Sequence, residues 1–174
     1  MPAPYALSVR FNAWRGPAQL GFRPRLSPFM IGVRSDALVK MARFPSEEWT
    51  KLYAEKLNAN KSYEDAGKNW EGAITFVVQK DSALDKDAFI YLDLYHGKCR
   101  DAKFSLTESD LPTPEYKYAG PYGNWRKLIN KEIDPIQGLL TGKFKLQGSM
   151  MKIMRFTKAA KEMVNTTASV QTES

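Results

Sequence analysis

His96 and Cys99 are the one histidine and the one cysteine of the 174-residue chain, and they stand three positions apart. An imidazole and a thiol at that spacing suggest either half of a zinc site or an activated thiolate. A structural zinc ion takes about four ligands, and no second Cys/His pair exists to complete the set. A nucleophilic pair needs facing side chains and a third group to orient the base, which adjacency in a hairpin does not supply. Both residues therefore read as hairpin residues. Asp93 lies beside aromatic residues but has no partner carboxylate, and the chain has neither a Gly-x-Gly-x-x-Gly run nor a phosphate loop. No catalytic residue, metal or cofactor is expected. A single cysteine rules out an intrachain disulfide and fits a reducing compartment, so a cytoplasmic location is expected.

What remains is the chemistry of holding something apolar. The segment from Gly142 to Phe156 reads as strand, glycine turn and helix. Phe144 and Leu146 face one way and Lys143, Lys145 and Gln147 the other, which is the period of a half-buried strand. Gly148 breaks it. Beyond the break, Met150, Ile153, Met154, Thr157, Ala160 and Val164 recur at spacings of three and four and form one helical stripe. Lys152, Arg155 and Lys158 occupy the opposite face. Methionine is flexible and polarizable, so such a stripe can conform to an apolar guest, although the same pattern also serves as plain core.

These elements need a scaffold. Ser46 is an N-cap with Glu47 and Glu48 in the first turn, and Trp49, Leu52, Tyr53 and Leu57 mark a helix face running to about Asn60. Ser62 with Asp65 resembles a capping box and starts a short helix ending near Trp70. Alternation over 74–79 and again over 89–95 predicts two strands, with His96-Gly97 turning into a third that runs to Phe104. Tyr116 and Tyr118 mark a fourth strand. Trp125, Leu128, Ile129 and Ile133 restore a helical period from Asn124. Asp134 and Pro135 are the N-cap and first position of a further helix carrying Ile136, Leu139 and Leu140. The fold expected is α+β, with a five-stranded, largely antiparallel sheet covered on one face by helices.

The ordered set Asp93-Leu94-Tyr95-His96-Gly97-Lys98, Asp134-Pro135 and Gly142 to Gly148 resembles the sterol carrier protein 2 lipid-transfer family from about Ser46 to Val164. One departure is Ser149, where family members often carry Asn or Asp. The resemblance implies an apolar tunnel between sheet and helices and a non-enzymatic function: binding and transfer of a fatty acid, an acyl-CoA or another long apolar lipid. The expected lining is Phe76, Val78, Trp125, Leu128, Ile129, Leu139, Leu140, Phe144, Leu146, Met150 and Met154. Lys143, Lys145, Lys152 and Arg155 are candidates to meet an acidic headgroup or the phosphates of CoA, and otherwise form a solvated face. An accessory subunit that presents lipid to a lipid-metabolising enzyme is the alternative reading.

Length suits one domain over 41–165, followed by a polar tail over 166–174. No apolar run approaches the roughly 18 residues of a membrane span, so any membrane contact is expected to be peripheral. The net charge of +7 suggests nucleic acid, but residues 1–40 carry six basic residues against Asp36 alone, leaving the body nearly balanced. Those forty residues also hold half of the ten prolines and no sustained period, and they read as a poorly ordered basic arm. Nucleic-acid binding through that arm is the least favoured reading. Three serines and five aromatics fit a transit peptide poorly. A start at Met30 or Met41 would lose nothing recognisable. The ending Thr172-Glu173-Ser174 is not a peroxisomal address, and import by that route is not expected.

Overall fold

The computed structural model describes residues 41–173, and the arm expected over 1–40 lies outside them. Ser46 opens helix α1 (Glu47–Ala59), its Oγ accepting the Trp49 N–H at 3.1 Å, and Trp49, Tyr53 and Leu57 are buried along one side. Helix α2 (Lys61–Gly67) follows at once, capped by Asn60 rather than by the expected Ser62. The Asn60 amide is held at both ends. Its Oδ1 accepts the Tyr63 N–H at 3.1 Å and its Nδ2 donates to Thr166 Oγ1 at 2.8 Å, an anchorage Ser62 lacks.

Strands β1 (Ala42–Arg43), β2 (Glu71–Gln79), β3 (Ala88–Tyr95), β4 (Lys98–Ser105), β5 (Tyr116–Pro121), β6 (Lys145–Gln147) and β7 (Thr172–Glu173) form two sheets among the described residues. The larger has the order β4-β3-β2-β5-β6, as expected in strand number and largely antiparallel, with β2 and β5 its one parallel pair. The β3–β4 hairpin turns on His96 (φ 47°) and Gly97 (φ 74°), the two positive angles that match the twist of the flanking strands. A Cβ on Gly97 would collide with the Glu64 backbone, so the turn can pack against α2 only as glycine.

Helices α3 (Tyr122–Ile129), α4 (Pro135–Leu140), α5 (Met150–Arg155) and α6 (Thr157–Thr167) join α1 and α2 around the sheet face that carries Ile74, Phe76, Leu94 and Tyr118. On the other face, Lys117, beside Thr75 in register, pairs with Glu108 of a 3-10 turn (Glu108–Asp110), tying the β4–β5 connection to the sheet.

Two findings differ from the sequence reading. The helix expected to run unbroken from Met150 is interrupted at Phe156 (φ −105°, ψ 27°), where the ring turns inward to pack edge-on against Trp70 at 5.1 Å. The segment 166–174, read as a polar tail, begins as the last helical turn and then places Val170 in the core and Thr172 beside Ala42. Threonine makes this burial tolerable. The Thr166 and Thr167 hydroxyls donate back to the Glu162 and Val164 carbonyls at 2.8 and 2.7 Å, satisfying themselves locally.

Asp134 begins α4 as expected, accepting the Ile136 and Gln137 N–H groups at 2.9 and 3.1 Å. Burial opposes its charge, but those two bonds and the Lys161 ammonium at 3.4 Å outweigh burial and hold the carboxyl below its ordinary range. A depressed folded-state pKa means the stabilisation is complete above the unfolded value of about 4 and is lost as pH falls through the lower folded value. Asp134→Ala should therefore cost about 1 kcal/mol at neutral pH in urea melts. Asp134→Asn should keep most of the cap and shallow the acid limb of the stability curve.

Candidate lipid-binding site

Between the helices and the sheet lies a cavity of about 80 Å³. Ile74, Phe76, Leu94 and Tyr118 form its floor. Helices α1 and α2 contribute Trp49, Tyr53 and Tyr63, with Trp70 at the entry to β2. Opposite stand Trp125, Leu128 and Ile129 of α3, and Pro135, Ile136 and Leu139 of α4. Ile153, Phe156, Ala159, Ala160, Met163, Val164 and Thr167 close it from α5 and α6, with Phe44 beside β1.

The polar tips of five of these large rings are taken by the chain itself. Tyr53 and Tyr118 donate to the Met163 and Pro135 carbonyls at 3.1 and 2.9 Å. The indole N–H groups of Trp70 and Trp125 reach the Gly72 and Val77 carbonyls at 2.8 and 3.1 Å, and that of Trp49 reaches Thr172 Oγ1 at 3.0 Å. Burial raises the phenol pKa of Tyr53, Tyr63 and Tyr118 well above its ordinary value, so these hydroxyls stay neutral. Among the described residues, no carboxylate, imidazole, ammonium, guanidinium or thiol lines the space. What the rings present inward is apolar surface, suited to a hydrocarbon guest.

Of the residues expected to line a tunnel, Phe76, Trp125, Leu128, Ile129 and Leu139 meet at this cavity. Val78 shares their sheet face but lies in solid core beyond it, fully buried. Phe144 stands one layer behind, stacked on Tyr118 at 4.7 Å and edge-on to Trp125 at 5.3 Å. Leu146 is partly buried on edge strand β6. Leu140, at the end of α4, and Met150 and Met154 of α5 point outward, at 70%, 41% and 45% exposure, and Ile153 is the one residue of α5 that is buried. Trp49, Tyr53, Tyr63, Trp70, Ile153, Phe156 and Met163 line the space without having been proposed for it. A count of aromatic residues on the buried face of α1 was the available signal.

Lys143, Lys145 and Arg155 of the basic set are exposed. Lys152 is not free: its Nζ donates to the Glu71 carbonyl at 2.6 Å and lies over the Trp70 and Tyr116 rings at 5.1 and 5.4 Å. Away from the cavity, His96 Nε2 lies 2.9 Å from Glu71 Oε1 in the open, whereas Cys99 is buried. Burial and the nearby Asp93 and Asp101 push the Cys99 thiol up to about 12, so it is not a thiolate at neutral pH.

An α+β layer whose enclosed space is walled by aromatic and aliphatic side chains defines a domain for apolar ligands. The chain belongs to the SCP-2 sterol transfer family, whose model matches residues 51–161, and it is accordingly a lipid-binding and transfer domain. A crystal structure of sterol carrier protein 2 superimposes with a TM-score of 0.67 at 27% identity, covering 72% of this chain and 97% of that one. A conserved hypothetical protein, possibly a sterol carrier protein, from Thermus thermophilus gives 0.68 at 27% identity, over 77% and 93% of the two chains. Sterol carrier protein domain 2 of Helicoverpa armigera shares the fold at 15% identity and a TM-score of 0.50, over 72% and 95%. No curated protein matches the sequence closely enough to count as a relative. Among the described residues, no helix is long and apolar enough to cross a membrane.

Proposed function

We propose that this domain carries one long apolar lipid, a fatty acid, an acyl-CoA or a similar long-chain molecule, in the space between its helices and its sheet, and delivers it chemically unchanged. The observation that supports this is the lining itself: large apolar side chains, with the polar tips of Trp49, Tyr53, Trp70, Tyr118 and Trp125 bound to the chain, and no charged side chain among them. Each methylene buried contributes about 0.8 kcal/mol, so ten to sixteen carbons give roughly 8–13 kcal/mol gross. Association costs of several kcal/mol reduce this to about micromolar affinity or tighter. Lys143, Lys145 and Arg155 are proposed to meet an acidic headgroup or the CoA phosphates.

The space of about 80 Å³ is small for such a guest. An engineered apolar cavity of about 150 Å³ takes a guest the size of benzene or xenon. Loading therefore requires the walls to part. On one side that wall consists of two six-residue helices, α4 and α5, joined through β6 between Gly142 (φ 71°) and Gly148 (φ 121°). Titration of the full chain with saturated fatty acids of increasing length, followed by tryptophan fluorescence, tests the reading. Affinity should rise by about fourfold per added methylene until the space is filled. Failure to bind any acyl lipid would defeat the proposal.

A further inference from the structure

The outer side of the same wall has a character of its own. From Pro135 to Lys161 the chain contains six lysines and arginines and no aspartate or glutamate, whereas residues 41–134 and 162–174 together hold fourteen basic and eighteen acidic residues. The positive excess of the described domain thus lies between Lys143 and Lys161, in the loop after α4, in β6, in α5 and at the start of α6. Lys152 and Lys161 are engaged, the first with the Glu71 carbonyl and the second with Asp134. Lys143, Lys145, Arg155 and Lys158 are exposed and form no ion pair among the described residues. Four of the seven large apolar side chains exposed among the described residues belong to this stretch: Met151 and Leu140 at 70% exposure, Met154 at 45% and Met150 at 41%. Helix α5 keeps only Ile153 for the interior and turns three methionines outward.

From this juxtaposition we infer that the outer face of α5, with Lys158 at the start of the adjoining α6, is a docking surface for an anionic lipid bilayer. A bilayer interface satisfies both halves of the pattern. Anionic headgroups attract Arg155 and Lys158, at roughly fivefold in partitioning for each charge close to the surface, while the methionines reach the acyl boundary beneath. Nucleic acid would use the charges but leave four apolar side chains in water. Docking here also sets the bilayer against the wall whose inner side, through Ile136, Leu139 and Ile153, lines the cavity.

The test uses the full chain with sucrose-loaded vesicles, either phosphatidylcholine alone or phosphatidylcholine with phosphatidylglycerol in equal parts. Sedimentation should show binding to the mixed vesicles that weakens with added salt, and little binding to phosphatidylcholine. The double variant Met151→Glu/Met154→Glu should bind the mixed vesicles at least about tenfold more weakly, and Arg155→Gln/Lys158→Gln should lose roughly fivefold per charge. An environment-sensitive dye on Met151→Cys should shift to shorter emission wavelengths on mixed vesicles as the label leaves water. All four positions are exposed, so both double variants should match the parent in circular dichroism, and Met151→Glu/Met154→Glu, which changes no residue proposed to meet the headgroup, should also match it in fatty-acid titration without vesicles, which keeps this result separate from the fate of the cavity reading. Vesicle binding unchanged in both double variants would put the attachment elsewhere in the chain and overturn the inference. Displacement of the vesicles by a single-stranded oligonucleotide, with no dye shift on vesicles, would overturn it in favour of nucleic acid.

Discussion

Phe144→Ala should lower the unfolding free energy by about 3–5 kcal/mol. Phe144 is 2% exposed and joins three elements: it stacks on Tyr118 of β5, meets Trp125 of α3 edge-on, and lies against the backbone of α4. Two glycines make the site. A Cβ on Gly138 would come within 2.7 Å of the ring, and one on Gly120 would collide with it, so main chain closes the pocket on both sides. Main chain cannot collapse into the hole that alanine would leave, and the cavity term should therefore be near its full value. Urea denaturation measures the loss, with Phe144→Leu expected in between. A cost below about 1 kcal/mol would show that the aromatic cluster is not what holds α3 and α4 to the sheet.

The second large effect concerns the ligand. Ala160 is a small residue on the cavity wall, and Ala160→Trp should project an indole into the space a long chain must occupy. Fatty acids of about sixteen carbons should bind at least tenfold more weakly, those of about eight carbons little differently, and overpacking should cost about 1–3 kcal/mol of stability. Met154→Trp is the matched control. Met154 faces outward, so the same ring there should change neither chain-length preference nor stability appreciably. Equal weakening of short and long chains by Ala160→Trp, or selective weakening by Met154→Trp, would contradict the assignment of the cavity as the acyl site.

Comparison of residues shows where the sequence was readable. Local chemistry was: Ser46 and Asp134 cap helices where their types and neighbours predict, and His96-Gly97 supplies the two-residue turn. Strand faces followed from alternation, which put Phe76 over the cavity. Alternation does not say how far along a strand a cavity extends, and Val78, of the same parity, lies beyond its end. The methionine stripe failed for a different reason. Periodicity assumes an unbroken helix, and a ring contact between Phe156 and Trp70, 86 positions away in sequence, ends that assumption. Lys152 shows the converse difficulty. By polarity it belongs outside, yet its long apolar stem and charged tip lie across Trp70 and Tyr116, a placement decided by tertiary contacts.

The parallel pairing of β1 with β7 bears on the order in which the molecule assembles. The β2–β3 and β3–β4 hairpins join neighbouring stretches of chain and can close early, whereas the Trp49–Thr172 bond spans 123 residues and the pairing of Ala42 with Thr172 spans more. Contacts of such separation repay the entropy of closing the loop only once the rest is in place. With two residues to each strand, the clasp should be the last part to form and the first to open, exchanging the Ala42 amide hydrogen well before those of β3. Phe44 and Trp49, next to the clasp, line the cavity, so its opening would loosen that wall while the central sheet stays folded.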